Sequence, residues 1–247
     1  MKVFLSLVVF MSSLLFSAPL KIAVAANVSY AIEPLKREYM KQHPKTDLKI
    51  ILGSSGKLTA QIVHGAPYDV FLSANMSYPQ KLYTLKLASK PIVYAEGSLA
   101  LLSMKRQDFS ETLAVLKTTN IKKIAVANPR TAPYGIATKE ALEKANLYKE
   151  LKHKFVYGES ISQTVSYTMT AADIGFIAKS ALFTPKMNLY KEGIHWIEVD
   201  RNLYTPIEQG AVVLHSSKYM QEAKSFLSFL SSKEAKKIFK NHGYIIK

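Results

Sequence analysis

Residues 48–64, LKIILGSSGKLTAQIVH, pass from a strand-like apolar run (48–52) through a glycine–serine turn (53–57) into a segment with helical spacing (58–64). A strand that turns so abruptly into a helix is the building unit of an open α/β sheet. In such a sheet, strand carboxyl ends meet helix N-termini, whose unpaired N–H groups and positive partial charge suit anions. The unit recurs outward along the chain. Strand-like runs at 21–25, 70–73, 99–104, 124–127, 174–178 and 211–214 alternate with helical spacing at 31–42, 79–85, 109–117, 138–145 and 219–239, the last broken near Ser231 and Ser232. The expected fold class is therefore α/β, with mixed sheets flanked by helices.

A length of 247 residues accommodates one large fold or two lobes joined by a hinge. The pattern is interrupted at 94–97 by Gly97 and at 203–207 by Pro206. If the chain crosses between lobes at both places, residues 19–95 and 207–247 form one lobe and 96–206 the other.

Composition narrows the function. Lys2, the apolar run 3–16 and the small residues Ser17 and Ala18 have the layout of a secretory signal peptide over 1–18. No later run approaches the length that spans a bilayer. Cysteine is absent, which excludes disulfides, thiolate metal sites, a cysteine nucleophile and a lipidated cysteine. The six histidines, His43, His64, His153, His195, His215 and His242, lack zinc-ligand spacing, so no free cation site is expected. A formal charge of +15 raises nucleic acid as a partner, but the lysines are scattered along helical stretches without interleaved aromatics. A solvated basic surface is the expectation, and no nucleic-acid partner is expected.

Four turns of the strand-to-helix kind carry the candidate chemistry. Asn27, in AANVS (25–29), stands where a helix cap belongs and offers both a donor and an acceptor. Ser54 and Ser55 lie between the glycines of the 53–57 turn, which lacks the P-loop spacing. Pro133 precedes Tyr134 at a helix start, where the tyrosine would present its backbone N–H. Ile161, in GESIS (158–162), has no polar side-chain atom and could act only through its N–H. Each of these also reads as an ordinary turn or core residue. Ser54-Ser55-Gly56-Lys57 further satisfies S-x-x-K, but the K-[ST]-G element of serine acyl enzymes occurs nowhere downstream, so a secreted serine acyl hydrolase is a distant alternative.

Taken together, AAN (25–27), GSSGKL (53–58), GAPYDVFLSA (65–74), PYGIA (133–137), ADIGF (172–176) and YTPIEQ (204–209) resemble the periplasmic molybdate-binding proteins, in order and spacing across essentially the whole mature chain. The GAPYDVF block is the most specific piece. The resemblance implies a two-lobed, type II periplasmic binding fold with a two-stretch hinge, a monomer without a cofactor and without enzymatic activity. It would carry molybdate, or tungstate, to the membrane permease of an ABC importer. It places Asn27 and Ser55 on the first lobe, binding through side chain and backbone, and Tyr134 and Ile161 on the second, binding through backbone N–H, with Ala26 adding a further N–H. One branch of the family has a tyrosine hydroxyl just after the strand at 174–178, where this chain has Ala178, so the donor set differs from that branch. Lys57, just past its turn, is expected to face solvent. A receptor of the same fold for another small anion or solute is the second reading.

Overall fold

A computed structural model describes residues 19–246; the expected export segment 1–18 lies outside the described residues. The strands are β1 (Leu20–Ala25), β2 (Leu48–Gly53), β3 (Val70–Ser73), β4 (Ile92–Gly97), β5 (Leu99–Leu102), β6 (Ile124–Ala127), β7 (Phe155–Gly158), β8 (Ile174–Ala178), β9 (Trp196–Glu198) and β10 (Ile207–Val213). The α-helices are α1 (Ile32–Gln42), α2 (Ser55–Val63), α3 (Ser77–Thr84), α4 (Pro133–Lys144), α5 (Tyr148–Leu151), α6 (Ile161–Thr170), α7 (Met220–Phe229) and α8 (Lys233–Asn241).

The strands form two sheets of the same design, ordered β2-β1-β3-β10-β4 and β7-β6-β8-β5-β9. In each, three parallel strands are followed by two paired antiparallel to their neighbours. The parallel strands read as continuous apolar runs because helices cover both faces, as in Ile124–Ala127, which is buried throughout. Separate clusters pack on the two faces of the first sheet, one built on Leu35, Tyr39 and Phe226, the other on Leu58, Phe71 and Leu82. The second sheet is packed by Phe176, Leu101 and Leu142 on one face and Leu102, Ile177 and Met187 on the other.

The chain passes between the sheets twice. Residues 94–97, expected as an irregular hinge, are strand: Glu96 pairs with Glu208 and Gly97 with Ile207 inside the first sheet, so the chain leaves that sheet at Ser98. It returns over 204–206, where Pro206 precedes β10. Segment 109–117 forms only a 3-10 turn over Thr112–Lys117, and the long C-terminal helix is indeed two, with Ser232 capping α8 by accepting from the Ala235 N–H at 3.1 Å.

Strand register positions the functional turns. Ala25 of β1 lies beside Gly53 of β2, and both strands turn into helical structure within two residues. Ala127 of β6 lies beside Gly158 of β7 in the second sheet. The carboxyl ends of all these strands face the cleft between the lobes.

Candidate functional site

The four residues singled out from the sequence meet on one cavity. Asn27, Ser55, Tyr134 and Ile161 line it with Ala25, Ala26, Ser54, Ala74, Ala132 and Pro133. It is tight, leaving about 10 Å³ for the centre of a water molecule, the room of a single water. Larger grooves of about 340 and 580 Å³ elsewhere contain none of the four.

Most of the wall is built from the first turns of helices. Ser55 opens α2, Tyr134 stands second in α4 after Pro133, Ile161 opens α6, and Ala26 and Asn27 open a 3-10 turn over Ala26–Tyr30. Opening N–H groups have no intrahelical partner, and the dipoles of three α-helices add positive partial charge there. No charged side chain lines the cavity.

The hydroxyls are arranged to donate. Ser55 Oγ accepts the Ala74 N–H at 3.0 Å, which leaves its own proton free. Ser54 is the N-cap of α2, yet its side chain makes no capping bond. Among the described residues, the buried side-chain polar atoms without a hydrogen-bond partner are Ser54 Oγ, Asn27 Oδ1 and Tyr134 Oη, and all three belong to residues of this one cavity. Buried polar atoms are almost always paired, so three orphans in one place single out this cavity as the candidate site.

The Asn27 amide is held within the protein. Its Nδ2 donates to Gln209 Oε1 at 2.7 Å and to the Tyr244 hydroxyl at 2.9 Å, so both amide protons are engaged within the protein and the backbone N–H is the donor it offers. The Tyr244 hydroxyl in turn donates to Asn27 O at 2.9 Å, as does Ser180 Oγ, from the other lobe, at 3.0 Å. Burial raises the Tyr134 and Tyr244 hydroxyls far above the usual phenol range, so both keep their protons at neutral pH.

Further contacts tie the lobes around the cavity. The Gly56 N–H donates to Thr131 O at 2.9 Å and Ser162 Oγ to Ala26 O at 2.8 Å. Lys57, expected in open solvent, meets Glu159 across the cleft, Nζ to Oε2 at 2.6 Å, and that cation holds the Glu159 carboxyl below its usual value. Ser54, Gln209 and Tyr244 went unassigned in the sequence reading. For Ser54 the signal was the adjacent serine pair and for Gln209 its place in the YTPIEQ segment; Tyr244 reaches Asn27 from 217 residues away and carries no local signal.

Comparison with known proteins gives a consistent picture. Residues 20–245 match the family described as bacterial extracellular solute-binding protein. The chain is 36% identical over 226 residues to the molybdate-binding protein ModA of Rhodobacter capsulatus, covering 90% of this chain and 86% of that one. It is 35% identical over 233 residues to ModA of Azotobacter vinelandii, covering 92% and 90%. The solved periplasmic molybdate-binding protein of Azotobacter vinelandii superimposes with a TM-score of 0.85 at 33% identity, over 92% of this chain and 99% of that one.

Proposed function

The chain belongs to the bacterial extracellular solute-binding protein family, and from that premise we propose that it captures molybdate, with tungstate as a close substitute, outside the cytoplasm and hands it to the permease of an ATP-driven importer. It is a binding protein, not an enzyme. The observation that carries this reading is the convergence of helix starts from both lobes on one small cavity walled by N–H and hydroxyl donors. The similar proteins of Rhodobacter and Azotobacter bear molybdate in their names.

A dianion needs no local cation in such a place. Each bond to a charged acceptor is about twice as strong as a neutral one, and the helix dipoles add to the field. Asn27, Ser55, Tyr134 and Ile161 supply backbone N–H groups, Ala26 a further one, and Ser55 and Ser54 supply hydroxyls. Donors alone favour a fully ionised tetrahedral anion. Hydrogen phosphate is penalised because its proton would face a donor, and sulfate because it is too small to reach every wall.

Residues 1–18 serve as the export signal on this reading, and the mature protein works as a periplasmic monomer. Closure turns about the crossings at Ser98 and 204–206. A ligand touched by both lobes favours the closed state by its differential affinity for it, and the permease reads that state. The hydrolase alternative finds no support in the geometry: the Lys57 amine is paired with Glu159 rather than serving as a base, and Ser54 Oγ, the serine of the S-x-x-K match, has no hydrogen-bond partner that could take its proton. Titration calorimetry of the mature chain tests the assignment. Molybdate and tungstate are expected to bind far more tightly than sulfate or phosphate; equal affinity for all four would refute it.

A further inference from the structure

The Asn27 amide raises a question of sign, because its carbonyl oxygen is an acceptor on a cavity that takes an anion. Its orientation is fixed by its neighbours. Gln209 Nε2 donates to Ile207 O at 2.8 Å, so Gln209 turns its oxygen toward Asn27 and must receive an Nδ2 proton. Tyr244 spends its proton on Asn27 O and so accepts the other Nδ2 proton. Both donors are used, and Oδ1 is left buried without a partner. Facing the ligand, it would repel any oxygen of a dianion.

The second orphan answers the first. The Tyr134 hydroxyl comes from the opposite lobe, is fully buried, and has a proton to give. It stands over Gly97, where a Cβ would overlap it and would lie 3.1 Å from Gln209 Nε2, so the hydroxyl sits beside the amide that holds Asn27. Both orphaned atoms belong to residues that line the one tight cavity.

We infer that, once an anion fills the cavity, the Tyr134 hydroxyl, which has no partner in the closed arrangement described above, donates to Asn27 Oδ1 from the opposite lobe, cancelling an acceptor in the cavity wall and latching the lobes at the site. Tyr134 then has two tasks. Its backbone N–H faces the ligand, while its hydroxyl is a positioning and specificity group that keeps the wall donor-only. Gln209 and Tyr244 hold Asn27 in the orientation that makes this possible, and Gly97 is glycine because the hydroxyl needs the space. This inference rests on the oxyanion reading above.

Tyr134→Phe separates the tasks, since it keeps the backbone N–H and removes only the hydroxyl. Molybdate affinity is expected to fall by about fivefold or more, as when a buried acceptor loses its partner. Hydrogen phosphate, whose proton can now serve Oδ1, should hold or gain affinity, so that the molybdate-to-phosphate ratio narrows by about tenfold. The melting temperature without ligand should not fall, because neither atom has a partner in the structure described above. A purely structural tyrosine would lower that temperature and leave the ratio intact; this result, or an unchanged ratio at unchanged stability, overturns the inference. Wild-type protein that binds molybdate no better than phosphate overturns the oxyanion reading itself, and the inference with it. Should Tyr134→Phe fail to fold by circular dichroism, Gly97→Ala, which displaces the hydroxyl, is expected to narrow the ratio in the same way, and an unchanged ratio there also overturns the inference.

Discussion

Ser54 and Ser55 are adjacent, buried and chemically identical, yet their bonds make them respond differently to the same change. Ser55 Oγ is the acceptor for the Ala74 N–H, whereas Ser54 Oγ has no protein partner. Ser55→Ala should weaken molybdate binding by about 1–3 kcal/mol and also lower the stability of the ligand-free protein by about 1 kcal/mol, through the orphaned N–H. Ser54→Ala should weaken binding by a similar amount while ligand-free stability holds or rises, because a buried, unsatisfied hydroxyl has been removed. Calorimetry and thermal melts on the pair check both; a Ser54→Ala protein with full affinity would return that residue to a turn role. At this scale the sequence displayed Asn27, Ser55, Tyr134 and Ile161 as turn residues at helix starts, and the family resemblance gave them their expected roles. It could not say that both neighbouring serines turn inward. It gave no role to Gln209, although the YTPIEQ segment carries the resemblance, nor to Tyr244, whose contact exists only once the C-terminal segment folds back beside β4.

At the level of elements, the strand-to-helix alternation was legible while helix starts were not. Segment 58–64 was expected as a helix and α2 begins at Ser55; segment 138–145 was expected and α4 begins at Pro133. The missing turns contain Ser55, Gly56, Lys57, Pro133, Tyr134 and Gly135, which lack apolar spacing, so periodicity cannot see them, although these are the turns that face the cavity. Short, partly buried strands such as β7 and β9 escaped for a related reason: three or four residues do not establish a period. Asp173 shows how one side chain fixes an element. Its Oδ2 accepts the Lys122 and Lys123 N–H groups, each at 2.9 Å, and so secures the start of β6 against β8. Burial alone would raise this carboxyl, but the two N–H bonds outweigh it and hold it below the ordinary 3.8. A depressed carboxyl contributes stability above its unfolded value and loses it as pH falls through the folded one. Asp173→Asn is therefore expected to destabilise the protein by about 1 kcal/mol at pH 7. That difference should close as the pH drops below 3.8; urea melts at both pH values test this, and a gap that persists in acid would contradict it.

Over the whole molecule, the two-lobed arrangement follows from a repeated sheet design, with β10 inserted in the first sheet and β5 in the second by the two crossings. The lobes approach closely enough that Gly56 has no room for a side chain: a Cβ there would lie 2.9 Å from Thr131 Cα and 2.8 Å from the Tyr78 hydroxyl. Gly56→Ala should leave each lobe folded but oppose closure, costing about 1–3 kcal/mol of ligand affinity. Small-angle scattering should show a smaller contraction on adding molybdate than in wild type, and full contraction with full affinity would mean that the lobes are not this close in solution. The most direct test of the account is diffraction from molybdate-soaked crystals at the molybdenum absorption edge. The anomalous peak is predicted between the lobes, with its oxygens within hydrogen-bond reach of Ser55 Oγ and the N–H groups of Asn27, Ser55, Tyr134 and Ile161; a peak elsewhere, or bound to one lobe alone, would contradict it.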